Sequence, residues 1–160
     1  MKVVRWMTAV AAAAFVASVQ APDRALGAAG DPEVVIYRFS GVLDDGSGFD
    51  AGVATAFHCT NFSGATETVR IVVRGNSAVM AANAATDVAH LNTQTFATHP
   101  AHLYAEFALN TGIVIQGTAA IAATSTAVVC TAMTIDAASS SPVGIALHGM
   151  RFSPLPGTQE

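Results

Sequence analysis

From residue 112 to residue 135 the chain carries no charge, in the run GIVIQGTAAIAATSTAVVCTAMTI that stops at Asp136. More than twenty uncharged residues in a row leave two readings: a membrane-spanning helix, or strands of a β-core. Gln116, Thr118, Thr124, Ser125, Thr126, Thr131 and Thr134 are spread along the run and Leu is absent. Spanning helices are richer in Leu, Ile and Phe. The residues therefore predict a hairpin, with strands at 117–123 and 127–135 and a turn at 124–126. The second strand is β-branched at Val128, Val129, Thr131, Thr134 and Ile135. Its alternation sets Val128, Cys130, Ala132 and Thr134 on one face and Val129, Thr131, Met133 and Ile135 on the other. The alanines at 119–123 pull against this reading, because Ala favours helix.

The beginning of the chain is of another kind. Met1-Lys2-Val3-Val4-Arg5 is a short basic segment, residues 6–19 are apolar, and small residues follow at Ala21 and at Ala25-Leu26-Gly27-Ala28-Ala29. This layout predicts a secretory signal peptide over residues 1–29, cleaved near Gly30, and a mature domain over residues 30–160. Export to the periplasm or the extracellular space follows. The alternative, an N-terminal anchor helix, has an apolar segment that is short for a span. Without residues 1–29 the chain holds four arginines (38, 70, 74 and 151) against ten acidic residues, a formal charge of −6. No basic stripe is left, which argues against nucleic acid and anionic membrane surfaces as partners.

Two cysteines in an exported chain predict one disulfide, Cys59–Cys130. Cys59 shares a strand face with Val53, Thr55 and Phe57, so it points into the core. The alternative is a pair of buried free thiols.

The rest of the mature chain reads as short strands between turns. Residues 33–43 and 51–61 are strands separated by the turn-forming Asp44-Asp45-Gly46-Ser47-Gly48. Within the first, Val35, Tyr37, Phe39 and Leu43 are assigned one face and Val34, Ile36, Arg38 and Val42 the other. Residues 66–74 have the clearest period of two: Val69, Ile71 and Val73 against Thr68, Arg70, Val72 and Arg74. Residues 81–89 are ambiguous, 91–98 alternate, 103–109 suit a short helix or an irregular strand, and 143–152 form the last strand. About seven to nine strands with turns between them predict an all-β chain, a single antiparallel two-sheet β-sandwich. Cys59-Thr60-Asn61-Phe62-Ser63-Gly64, the alternating Val69-Arg70-Ile71-Val72-Val73, and the later Gly117-Thr118-Ala119 and Val128-Val129-Cys130 resemble the immunoglobulin-like modules of secreted bacterial proteins. The resemblance spans residues 51–135, implies a sandwich and carries no catalytic residues across. A pilus-subunit role is consistent with the low charge and the disulfide.

Chemistry-bearing motifs are few. No nucleophile elbow, phosphate-binding loop, His-Glu-x-x-His or Cys-x-x-Cys occurs. Asp44, Asp45 and Asp50 are candidate calcium ligands but lack the spacing of an EF-hand, so a solvated loop is the simpler reading. Asn61-Phe62-Ser63 fits a glycosylation sequon and equally a turn. The constellation to weigh is His90, His99 and His102, with Glu106 nearby, because imidazoles ligate zinc and copper. The plainer reading is of loop histidines that pack or meet solvent, and His58 and His148 read as surface residues. Arg70 and Arg74, on one strand face, are the first choice for a partner contact. The expected function is a non-catalytic binding or structural module without a cofactor, taking a protein or glycan partner. The alternative is a small periplasmic metal-handling protein or enzyme that uses zinc or copper at the histidines.

Overall fold

A computed structural model describes residues 33–152. The signal segment at residues 1–29, its cleavage position and the C-terminal tail lie outside the described residues. Within them the chain forms ten strands and no helix: β1 (Val34–Asp44), β2 (Val53–Asn61), β3 (Glu67–Arg74), β4 (Met80–Val88), β5 (Thr93–Ala97), β6 (Phe107–Ala108), β7 (Val114–Ala123), β8 (Val128–Asp136), β9 (Gly144–Leu147) and β10 (Gly149–Arg151). One sheet has the order β10-β1-β7-β3-β4 and the other β6-β5-β2-β8-β9. Every pairing is antiparallel except β5 with β6. The two sheets face each other as a β-sandwich, as the strand pattern predicts.

The core between them is built from alternate residues of the facing strands. Phe39 and Val42 of β1, Val69, Ile71 and Val73 of β3 and Ile121 of β7 meet Phe57, Cys59, Phe96 and Val128 of the other sheet. Each side chain there leaves water almost completely, a gain of roughly 1.5–3 kcal/mol for a large apolar residue. Strand β3 keeps the two faces expected of it. The disulfide joins Cys59 to Cys130, which stand opposite each other in the β2–β8 ladder. The immunoglobulin disulfide ties two sheets together, whereas this bond ties adjacent strands of one.

Three expectations are corrected and one open reading is decided. First, β7 and β8 are not a hairpin. β7 lies between β1 and β3 in one sheet, and β8 between β2 and β9 in the other. The connection is an arch whose ends are held by different sheets: Thr68 N–H donates to Thr124 Oγ1 at 3.1 Å, and Phe62 N–H to Ala127 O at 3.1 Å. Second, β1 does not keep one alternation. A register shift between Ser40 and Val42 surrounds Gly41, whose φ of 81° is the left-handed conformation of a glycine bulge. Before the bulge Tyr37 and Phe39 point inward; after it Val42 and Asp44 do. Third, residues 103–109 contain no helix, only the two-residue β6. Residues 101–104 instead fold over the outer face of the second sheet, where Ala101 and Tyr104 pack on Ala54, Ala56, Met133 and Ile135. This cover half-buries His58, which packs edge-on against Tyr104 with ring centroids 4.8 Å apart. Fourth, the last strand is two: β9 pairs with β8, the chain crosses at His148, and β10 pairs with β1 in the other sheet.

The ambiguous stretch 81–89 resolves as the edge strand β4. Asn61 makes the turn: its amide donates to Ala65 O and Val88 O at 2.7 Å each and accepts from Ser63 N–H at 2.8 Å. It is fully buried, which removes it from the surface a glycan acceptor needs.

Candidate functional site

The bulge at Gly41 delivers an acidic side chain to the interior. Asp44, the last residue of β1, is 1% exposed. Its Oδ1 accepts from Gly46 N–H at 2.8 Å, and its Oδ2 lies 3.0 Å from the Thr111 hydroxyl that donates to it. The next residue, Asp45, organises the loop to β2. Its Oδ1 accepts from Ser47 N–H at 2.9 Å and its Oδ2 from Val53 N–H at 3.0 Å. These hydrogen bonds, that from Ser47 first, hold its carboxyl below the usual carboxylate range against a smaller opposing effect of burial. The carboxylate lies across Gly52, where a Cβ would stand 2.3 Å from Oδ2, and the φ of 66° there is also one that favours glycine.

His99 enters from β5. Thr98 fixes the strand end on β2, donating its N–H to Thr55 O at 3.0 Å while its hydroxyl accepts from Thr55 N–H at 3.0 Å. The His99 ring is then buried, its side chain 7% exposed. Its Nε2 lies 2.9 Å from Ala51 O. A carbonyl only accepts, so Nε2 carries the proton, and in the neutral ring Nδ1 keeps its lone pair. Nδ1 lies 3.0 Å from Asp44 Oδ2, within ion-pair distance. It nonetheless makes no hydrogen bond. One atom each of Asp44, Asp45 and His99 lies within 4.8 Å of the other two.

These groups sit at one end of the sandwich, where Asp44 and His99 line a cleft of about 350 Å³ together with Ser47, Phe49, Pro100 and Asn110, among others. Its rim is apolar and exposed. Phe49 is 75% exposed and Ile113 69%; Ile113 leans over Gly46, whose Cβ position is 2.3 Å from Ile113 Cγ1.

The structure does not bring the three candidate histidines together. His102, exposed, faces Asp50 at the same end, with Nδ1 3.5 Å from Oδ2. His90 follows β4 at the opposite end of the sandwich, where its Nδ1 accepts from Gly64 N–H at 3.0 Å. Glu106 accepts from Ala101 N–H at 2.8 Å through one oxygen. The arginines are engaged by their own chain. Arg70 holds Glu33 through Nε at 2.6 Å and Nη2 at 3.0 Å and donates Nη1 to Asn83 at 3.0 Å; Arg74 donates to Ala78 O at 3.0 Å. Asp44 and Asp45 are the partners of His99 that sequence reasoning assigned to a solvated loop. The signal for them is an Asp-Asp-Gly at one strand end and a His-Pro at another, and only the pairing of strands joins the two. Comparison with protein-family models, with curated proteins and with solved structures finds no match to this chain.

Proposed function

We propose that the chain is an exported, non-catalytic binding module of immunoglobulin-like type that takes a protein or glycan partner at the loop end of its sandwich. One observation carries this reading: loops from both sheets converge there and hold Phe49 and Ile113 outside the core, beside a cleft with a polar floor. Aromatic and aliphatic side chains that fold exposed around a concave surface are where partners anchor. β-Sandwiches present their variable loops at such ends. Export is supported by the signal-type leader and by the disulfide, which persists in oxidising compartments. Arg70 and Arg74 drop in rank as contacts, since each already holds a partner in its own chain.

Site-specific photo-crosslinking tests this role. A photoreactive residue at position 49 or 113, in the full chain produced in exporting cells, gives a discrete crosslinked species. The same residue at Thr118, on the outer face of the first sheet, gives none. Equal labelling from all three positions, or none from any, removes the loop end as the binding surface.

A further inference from the structure

We propose that Asp44, Asp45 and His99 bind one divalent transition cation of borderline softness, with zinc as the reference ion. The inference goes beyond the partner-binding role and does not depend on it. It starts from the unpartnered Nδ1 of His99. This atom and Asp44 Oδ2 are 3.0 Å apart on side chains 7% and 1% exposed. With the proton fixed on Nε2 by Ala51 O, both atoms present lone pairs to each other in a region that water screens poorly. A cation off the line between them satisfies both lone pairs and reaches Asp45 as its third ligand.

The surroundings have the form that ligating groups take. A metal-bound histidine donates its other ring nitrogen to a carbonyl or carboxylate, and bound carboxylates are themselves hydrogen-bonded. Here Ala51 O takes Nε2–H, and Gly46 N–H and the Thr111 hydroxyl hold Asp44. The donor set selects the ion. Calcium and magnesium take oxygen ligands, six or more for calcium. One imidazole and two carboxylates suit zinc, which accepts three protein ligands and leaves a fourth position open. The cleft supplies that position and the route of entry.

Isothermal titration of the untagged, chelator-treated chain with zinc chloride at pH 7.5 tests the site. The expected result is one zinc per chain with a Kd of micromolar or tighter, little competition from calcium, and visible d–d absorption when cobalt(II) replaces zinc. H99Q weakens binding at least tenfold and abolishes the cobalt spectrum. Because His99 is buried and its variant can fail to fold, D45N, at an exposed position, is the second arm; it weakens zinc at least tenfold while the far-UV spectrum stays unchanged. A Kd in the millimolar range overturns the proposal. So does binding that persists at full affinity in folded D45N, or calcium that competes on equal terms.

Discussion

His58 differs from the other four histidines in the physical consequence of where it sits. The flap at 101–104 lays Tyr104 against its ring, and Thr95 Oγ1 lies 2.9 Å from its Nδ1. Burial disfavours the imidazolium and lowers the pKa from its ordinary 6.5. The unfolded chain then binds a proton more readily than the folded one. The contribution to stability is complete above pH 6.5 and is lost as the pH falls through the lower folded value. We expect the denaturant midpoint to decline below pH 6.5 and H58Q to flatten that part of the profile. A wild-type midpoint constant down to pH 5 contradicts this assignment. Asp45 acts in a separate window: its carboxyl is depressed below 3.8 by the Ser47 and Val53 amides, so its contribution fades only in more acidic solution. The two residues also differ in legibility. Asp45 in an Asp-Gly turn is readable from local chemistry, while His58 looks like a wet strand residue until a segment more than forty positions later covers it.

At the scale of elements, local alternation was informative wherever nothing interrupted it. Val69, Ile71 and Val73 of β3 point inward without exception. In β1 the bulge at Gly41 exchanges the faces halfway, and no periodicity argument places that shift in advance. The strands β7 and β8 were readable as strands, but a four-residue connection serves a hairpin and an arch equally. What decides is the tie to β3 at one end and to the end of β2 at the other. The same limit hid the site, since Asp44 and His99 meet only after β2 pairs with β5. The β2–β8 ladder carries the cross-link that the sequence did predict. Cys59 and Cys130 are separated by 71 positions, and closing a loop of that size in the unfolded chain corresponds to about 4 kcal/mol in the chain-entropy model. Small domains have about 5–15 kcal/mol in all. The double variant C59A/C130A is expected to unfold at a clearly lower denaturant concentration, and mild reduction should reproduce that shift. A change under about 1 kcal/mol is the outcome that rejects so large a share for the bond.

For the whole molecule, the proposed export is what would join the signal-type leader, the charge and the disulfide. The chain recovered outside the cytoplasm should have an intact mass corresponding to a start at or near Gly30, less two hydrogen atoms for the closed bond. A mass that retains Met1 contradicts it. The crossing of β9 into β10 closes one side of the sandwich, whereas among the described residues β4 stands open at the other with only Asp87 charged along its nine residues. Unpaired edges of this length are templates for another strand, and here small side chains and one acid are the safeguards. The disulfide, finally, has a mechanical meaning. If the protein is tethered at both ends and pulled, load passes along the chain to Cys59 and from there directly to Cys130. The 70 residues between them, with β3 to β7 among them, never enter the force path. At roughly 3.3–3.6 Å per extended residue, this withholds about 250 Å of contour length until the bond is reduced. A tether built on this sandwich stretches a short way and stops, and the redox state of its surroundings sets where.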